Sequence, residues 1–122
     1  MSNHPIVHVE LSSNDTVASA KFYHDLFGWE AQQIPEMHYA TFSTGEGSLA
    51  GGYNPVTPEN PPGKVLLYVG THDIKASIAK VEQLGGKVIS PTMPIPGVGL
   101  FALFKDLTGN EIGLLEEHED QK

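Results

Sequence analysis

The chain contains no cysteine among its 122 residues. This absence excludes a disulfide framework, thiolate metal sites and cysteine nucleophiles. Long apolar runs are also missing, since no stretch approaches the roughly 18 apolar residues that a membrane-spanning helix needs. The first residues, MSNHPIVHVEL, lack a basic start and resemble a strand more than a signal peptide. We therefore expect a cytoplasmic protein that does not enter a membrane.

Basic residues are scarce: seven Lys and Arg stand against 15 Asp and Glu, which gives a formal net charge of −8. Phosphate backbones would repel such a chain, so nucleic acid is not an expected partner. Two interpretations of the charge stay open. It is either an acidic surface that keeps the protein soluble, or a field that attracts a cationic ligand.

What the sequence does contain is an internal repeat. A shift of 58 positions places Asp15–Trp29 on Asp73–Lys87 with five identities in fifteen residues. In each copy a β-rich run precedes an aspartate that can cap a helix, and apolar residues then recur at helical spacing. Gly28 and the pair Gly85–Gly86 end the two helices. Three short strands follow in each copy, so each half is predicted to be a β-α-β-β-β module.

We predict a single domain over residues 1–122, made of module one (4–54), a proline-rich linker (55–63) and module two (64–117). The expected fold class is α+β, with two pseudo-symmetric βαβββ modules that form a curved mixed sheet around a trough. In each half, one helix covers only one face of the four-stranded sheet, so the other face needs a cover, which the other half can supply. Two curved sheets that face each other would leave a trough between them. A trough of this kind is the usual site for a small molecule.

Side-chain alternation assigns the residues of the first strand to two faces. Val9 and Leu11 are apolar and are expected to touch the helix. His8, Glu10 and Ser12 then point into the trough. A histidine there can bind a ligand or move a proton near neutral pH, and Glu10 is a candidate general base. The alternatives are a hydrogen-bonded strand histidine and a solvated carboxylate.

Aromatic and apolar residues supply further candidates for ligand contact. Tyr68 offers a ring and a hydroxyl group, although packing between strands is the alternative. Trp29 and Phe101 are candidates for an aromatic wall, with core filling as the alternative. Residues 91–99 (PTMPIPGVG) are predicted to be a loop over the trough mouth, either a lid or a static connection, with Met93 as an apolar contact.

Two blocks of the sequence, Val7–Glu30 and His72–Glu117, carry a family pattern, and the second block contains a D-x-x-G-N turn followed by a closing strand. This pattern resembles the vicinal oxygen chelate superfamily, which includes glyoxalase I, bleomycin-resistance proteins and extradiol dioxygenases. The resemblance spans nearly the whole chain. It implies a homodimer, with or without exchange of modules, and dimers are also the commonest oligomers on general grounds.

Enzymes of that superfamily usually hold a divalent metal with side chains from four strands, two per half. When the four ligand positions of the superfamily are carried over to this sequence, they fall on His8, Leu66, Gly113, and Ala50 or Gly51. Three of these positions lack a donor side chain, whereas catalytic metal sites normally need about three protein ligands. We therefore expect no metal and no cofactor. A site with substituted ligands, drawn from Glu10 and Glu111 together with His8, is the alternative.

The main functional hypothesis is a metal-free protein of the glyoxalase or bleomycin-resistance kind that binds a small organic molecule. The predicted ligand-binding residues are His8, Glu10, Trp29, Tyr68, Met93, Phe101 and Glu111. The alternative is an enzyme, either a lyase, isomerase or dioxygenase with a substituted metal site, or a metal-free isomerase with His8 and Glu10 as its catalytic acid–base pair. A third class is a non-catalytic subunit in which the fold serves assembly.

Overall fold

A computed structural model of the chain describes residues 4–118. These residues divide into two compact units, one formed by residues 8–66 and the other by residues 67–118 together with 4–7. The elements in chain order are β1 (Ile6–Ser13), α1 (Thr16–Phe27), β2 (Glu30–Ile34), a 3-10 turn (Pro35–Met37), β3 (Tyr39–Ser43), β4 (Ala50–Pro55), β5 (Val65–Gly70), α2 (Ile74–Gln83), β6 (Lys87–Ile95), β7 (Gly99–Lys105) and β8 (Glu111–Glu117). The predicted β-α-β-β-β order of each half is confirmed.

Each unit contains a mixed sheet with the same order of strands. In the first unit the order is β2-β3-β4-β1, and β1 pairs with β4 in parallel. In the second unit the order is β6-β7-β8-β5, and β5 pairs with β8 in parallel. The other neighbours within each unit are antiparallel. The internal repeat seen in the sequence is therefore a repeat of structure.

The helix starts confirm the predicted caps. The Asp15 side chain accepts hydrogen bonds from the backbone N–H groups of Val17 and Ala18 in α1, and the Asp73 side chain accepts one from the backbone N–H of Ala76 in α2. These bonds satisfy donors that have no partner within the helix. Gly28 ends α1 with a φ of 81°, in the left-handed region that glycine adopts at little cost.

Behind each cap lies a pair of hydroxyl groups that follows the same 58-residue shift. Ser13 Oγ lies 2.6 Å from Ser19 Oγ in the first unit, and Thr71 Oγ1 lies 2.7 Å from Ser77 Oγ in the second. Ser13 and Thr71 are both buried. Buried hydroxyl groups need such partners, and each pair ties the end of a strand to the first turn of the next helix.

The core of the first unit is aromatic and lies on the α1 side of its sheet. Its buried members and the residues packed on them are Ala40, Phe42 and Tyr53, with Leu11, Ala20, Tyr23 and Trp29. The second unit has an aliphatic counterpart made of Ile74, Ala102 and Leu114, with Val69, Ile78, Leu100 and Phe104. The expectation that Leu11 faces the helix is confirmed.

The prediction of a loop over residues 91–99 is wrong. Strand β6 continues to Ile95, and only residues 96–98 separate it from β7. The strand lies at the edge of the sheet in its unit, so Pro91 and Pro94 need no backbone N–H on the outer side. Two shifts of register, between Val88 and Ser90 and between Ser90 and Met93, accommodate the irregular sequence.

Both α-helices are short, with 12 residues in α1 and 10 in α2. Within residues 4–118, neither has the length and apolar character required to cross a bilayer.

Candidate functional site

The face of the first sheet opposite α1 is built in register from strands β1 and β4. His8 lies opposite Ala50, and Glu10 lies opposite Gly52. Because side chains alternate along a strand, His8 and Glu10 share one face, and Leu11 packs on the other against the helix. The alternation predicted for β1 is therefore found within this unit, and the position of His8 and Glu10 in a trough stays a prediction.

A tyrosine that the sequence analysis did not single out joins these two residues. The Tyr39 hydroxyl donates a hydrogen bond of 2.9 Å to Glu10 Oε2, and His8 Nε2 lies 3.1 Å from the same hydroxyl oxygen. Asn54 Nδ2 donates to the other carboxylate oxygen, Glu10 Oε1, at 3.2 Å. The site is therefore a chain of four polar side chains from three neighbouring strands.

The histidine and the carboxylate do not bond directly, because His8 Nε2 and Glu10 Oε2 are 3.7 Å apart. Their side chains are only 24% and 12% exposed, so both are largely withdrawn from water. Polar groups withdrawn from water need hydrogen-bond partners, and Tyr39 supplies one to each of them.

Two adjacent glycines make room for this arrangement. A Cβ atom on Gly52 would overlap the Tyr39 hydroxyl oxygen and ring, and a Cβ on Gly51 would overlap the Val9 carbonyl oxygen and the Phe42 ring. The Tyr39 side chain therefore lies across Gly52, directly above the strand. A glycine within a strand often marks a close approach of this kind, and the Gly51–Gly52 pair was the signal in the sequence that could have revealed it.

A shallow pocket lies beside His8. Its volume is about 450 Å³. The residues that line it are His8, Glu30, Ala31, Gln32, Thr41, Phe42, Ser43, Ala50 and Gly51. Apart from His8, its polar side chains come from β2 and β3, and none of them was a candidate in the sequence analysis. No motif marks these residues, because only the pairing of β2 and β3 with β4 brings them to His8.

The other end of this face is closed by the linker. Ser12 Oγ donates to the Pro61 carbonyl oxygen at 3.2 Å, and Asn60 Nδ2 donates to the Pro55 carbonyl oxygen at 2.9 Å. These bonds hold residues 55–63 against the ends of β1 and β4. The linker is therefore attached at the Asn54 end of the network, and the pocket lies at the His8 end.

Four predicted contact residues lie in the second unit, and three of them are aromatic or apolar. Tyr68 is buried, and its ring lies over Gly113, where a Cβ atom would be 2.5 Å from the Tyr68 Cδ2 atom. Met93 and Phe101 are paired across β6 and β7, and Met93 is exposed. Tyr68 thus covers a glycine on the neighbouring strand, as Tyr39 does in the first unit.

The two remaining candidates have different surroundings. Trp29 packs in the core on the α1 side of its sheet, with its ring centroid 5.1 Å from that of Phe42 and 5.4 Å from that of Tyr23. This is the core-filling alternative, on the face opposite to His8. Glu111 is the first residue of β8 and lies opposite Lys105 of β7.

The register also revises one position carried over from the superfamily. Glu10 lies opposite Gly52, and Tyr68, which is 58 residues after Glu10, lies opposite Gly113. The counterpart of Gly113 in the first unit is therefore Gly52, and not Ala50 or Gly51 as the sequence alignment of the halves indicated. The revised position is also a glycine and also has no donor side chain.

Comparison with known proteins identifies the family. Residues 5–114 match the Glyoxalase/Bleomycin resistance protein/Dioxygenase superfamily. The chain belongs to this superfamily, and the resemblance found in the sequence is confirmed.

Relatives by sequence include proteins of several lineages. The chain is 34% identical over 117 residues to an anthracycline biosynthesis protein, DauV, of Streptomyces sp. (strain C5), covering 82% of this chain and 42% of that protein. It is 34% identical over 110 residues to a glyoxylase-like domain-containing protein of Didymella fabae, covering 84% and 85%. A putative glyoxylase, CFP32, of Mycobacterium tuberculosis is 30% identical over 87% of this chain and 43% of its own length. The chain thus spans about two-fifths of the Streptomyces and Mycobacterium relatives.

Solved structures show the same fold at low sequence identity. A hypothetical protein from Bacillus halodurans C-125 matches with a TM-score of 0.75 and 15% identity, covering 97% of both chains. Methylmalonyl-CoA epimerase from Mycobacterium tuberculosis also has a TM-score of 0.75 at 15% identity, over 95% of this chain and 89% of the epimerase. These matches confirm the predicted fold class, a glyoxalase and bleomycin-resistance type of fold.

Proposed function

We propose that this chain binds a small organic molecule on the face of the first sheet that carries His8, Tyr39 and Glu10, and that it does so without a divalent metal. The observation that supports the proposal is the position of the polar network, which opens at His8 into a pocket of about 450 Å³. A concave site with a few converging polar groups is the usual form of a small-molecule site.

The metal-free part of the proposal rests on the donor set. Of the four positions carried over from the superfamily, only His8 has a donor side chain, and catalytic metal sites normally use about three protein ligands. The rings of Tyr39 and Tyr68 fill the space that side chains on Gly52 and Gly113 would need. Within residues 4–118, no three His, Asp or Glu side chains are grouped as metal ligands would be. These residues do not fit the metal that the superfamily implies.

The charges near the pocket favour a neutral or cationic ligand. The sequence contains no arginine, so the bidentate guanidinium contact that suits carboxylates and phosphates is absent. No lysine lines the pocket, whereas Glu30 and His8 do. Lys21 lies on α1, where its Nζ atom is 2.6 Å from Asp25 Oδ2. A phosphate or carboxylate ligand would therefore find no lysine or arginine among the residues that line the pocket.

Calorimetry with matched ligands tests the ligand class. The name of the Streptomyces relative suggests anthracyclines as probes. We would compare one that carries an amino group with its neutral aglycone and with a carboxylate analogue of the same ring system. We expect the amine to bind at least about tenfold more tightly than the carboxylate, a difference of about 1.4 kcal/mol. His8→Ala should weaken binding, and His72→Ala, which removes an exposed histidine in the second unit, should not. Baseline heats for a varied panel that includes basic glycopeptides would contradict the proposal.

Elemental analysis tests the metal-free state separately. Protein purified without chelator should hold less than about a tenth of an equivalent of any transition metal, since working sites retain their ions far better. If the wild type holds one equivalent of a divalent ion and His8→Ala does not, His8 is a metal ligand. Other residues of the chain would then replace the remaining ligands of the superfamily.

A metal-free isomerase is the second candidate function. The favouring observation is that Tyr39 connects a histidine and a carboxylate through hydrogen bonds of 3.1 and 2.9 Å, which suits general acid–base catalysis. A bound ligand incubated in D₂O should then exchange one carbon-bound proton, as measured by NMR. His8→Ala should abolish this exchange. Binding without exchange would favour a protein that only holds its ligand.

Two further proposals come from the sequence and the superfamily. We propose that the chain forms a homodimer, which light scattering of the purified protein would test by its molar mass. We also propose that it acts in the cytoplasm, which fractionation of cells that express it would test.

A further inference from the structure

We infer that Tyr39 is a positioning residue that holds the proton of the neutral His8 imidazole on Nε2 and links His8 to Glu10 as one proton-transfer unit. The inference rests on the proposed function, because it concerns the same site. It assigns a role to a residue outside the histidine–carboxylate pair that the sequence indicates.

The argument begins with the number of protons available. A phenol hydroxyl has one hydrogen to donate, and Tyr39 donates it in the hydrogen bond to Glu10 Oε2. An ionised carboxylate only accepts hydrogen bonds, and Glu10 accepts a second one from Asn54. The Tyr39 oxygen can therefore only accept from His8 Nε2, which must carry the hydrogen in that 3.1 Å contact. All three hydrogen bonds then run in one direction, toward Glu10.

The second step concerns the distance between the two titratable groups. His8 Nε2 and Glu10 Oε2 are 3.7 Å apart, which is beyond hydrogen-bond length. Tyr39 lies within hydrogen-bond distance of both groups and therefore offers a route for a proton between them. When the imidazole takes a proton at Nδ1 from a bound ligand that acts as an acid, its Nε2 proton moves to the Tyr39 oxygen while the Tyr39 proton moves to Glu10. With the bond broken in the ligand included, three bonds to hydrogen break and three form, and the ligand ends as its conjugate base. Tyr39 stays neutral, His8 ends as the Nδ1–H tautomer, and Glu10 ends protonated.

The backbone around Tyr39 holds it in place for this role. The 3-10 turn Pro35–Met37 precedes β3 and ends at His38, which has a φ of 52° and is the one non-glycine residue with positive φ within residues 4–118. Such conformations are uncommon for residues other than glycine and persist where the surrounding structure requires them. Tyr39 follows at once, and its ring lies across Gly52. Both the turn and the glycine therefore fix the position of the hydroxyl.

The test uses the full chain without ligand. Two-bond ¹⁵N–¹H NMR spectra of the histidine rings distinguish the two neutral tautomers of His8, with assignment by comparison with His8→Ala. In the wild type we expect Nε2 to give the shift of a protonated nitrogen. In Tyr39→Phe the ratio of Nε2–H to Nδ1–H tautomer should fall about five- to tenfold, the effect expected from the loss of one hydrogen bond.

Tyr53→Phe is the matched control, because it removes a buried hydroxyl on the other face of the same sheet. The His8 tautomer ratio should not change in this variant. An Nδ1–H tautomer in the wild type, or an unchanged ratio in folded Tyr39→Phe, would overturn the inference. Because these spectra need no ligand, they can fail while ligand binding succeeds. The failure of this inference is thus distinct from the failure of the proposed function.

Discussion

Two tyrosines of the first unit show how much the surroundings of a hydroxyl group matter. Tyr39 donates to Glu10 and lies within hydrogen-bond distance of His8. Tyr53 is 1% exposed, and its hydroxyl has no hydrogen-bond partner within the described residues. A buried hydroxyl without a partner loses its hydrogen bonds to water on folding and gains none within the protein. Its removal therefore breaks no hydrogen bond. The same chemical change should therefore have opposite effects at the two positions.

We expect Tyr53→Phe to leave the free energy of unfolding unchanged or to raise it by about 1 kcal/mol, and Tyr39→Phe to lower it by about 1 kcal/mol. Burial, and secondarily the neighbouring Tyr23, raises the pKa of Tyr53 to about 12. Because burial raises the folded pKa, the unfolded chain loses the Tyr53 proton first, so the free energy of unfolding falls as the pH rises from the unfolded pKa of about 10 toward 12. Urea unfolding at pH 7 and pH 11 measures both effects. The wild type should lose more stability than Tyr53→Phe between these pH values, and equal losses would contradict the argument.

At the scale of elements, signals that lie close together in sequence predicted the structure well. Asp15 and Asp73 were predicted as helix caps because an N-cap acts on backbone groups two or three residues away. The edge position of β6 depends on how the strands are ordered, which no local signal contains. Pro91 and Pro94 therefore indicated a loop, although an edge strand tolerates them.

The turn between β7 and β8 is a second locally determined element. Asp106 Oδ1 accepts the backbone N–H groups of Thr108, Gly109 and Asn110 at 2.9–3.0 Å, and Oδ2 accepts from the Asn110 side chain at 3.0 Å. The hydrogen bond from the Asn110 side chain is the main cause that holds the pKa of Asp106 below its ordinary value, and the backbone N–H groups add to it. A charged carboxylate therefore stabilises this turn.

Replacement of this carboxylate should destabilise the protein in a pH-dependent way. Because the folded pKa of Asp106 is depressed, its contribution is present above the unfolded pKa of about 3.9 and is lost as the pH falls through the folded value. The urea midpoint of Asp106→Ala should lie below that of the wild type at pH 6, and the difference should shrink near pH 3. Glu46→Ala, at another exposed turn, is the control and should show a smaller difference at pH 6. A difference for Asp106→Ala that is the same at both pH values would show that the charge is not involved.

At the scale of the whole molecule, the residues that could not be predicted are those that lie far apart in the sequence and meet only in the fold. His8 and Glu10 were placed on one face because strand alternation relates residues two apart. Tyr39 is 29 residues from Glu10, and only the order of β3, β4 and β1 brings it there. The side chains of β2 and β3 at the pocket were missed for the same reason. Membership of the superfamily was predicted because the resemblance, which includes the D-x-x-G-N turn, extends over nearly the whole chain.

The net charge of −8 acts on the whole molecule and on the ligand at the same time. Self-repulsion of like charges destabilises a compact state, and salt screens it over a Debye length of about 10 Å at 0.1 M. An increase of NaCl from about 10 to 200 mM should therefore raise the unfolding temperature by a few degrees. The same salt should weaken binding of a cationic ligand while leaving its neutral aglycone unaffected. Calorimetry and thermal unfolding on one set of samples measure both, and equal salt dependence for the two ligands would show that the acidic surface plays no part in recognition.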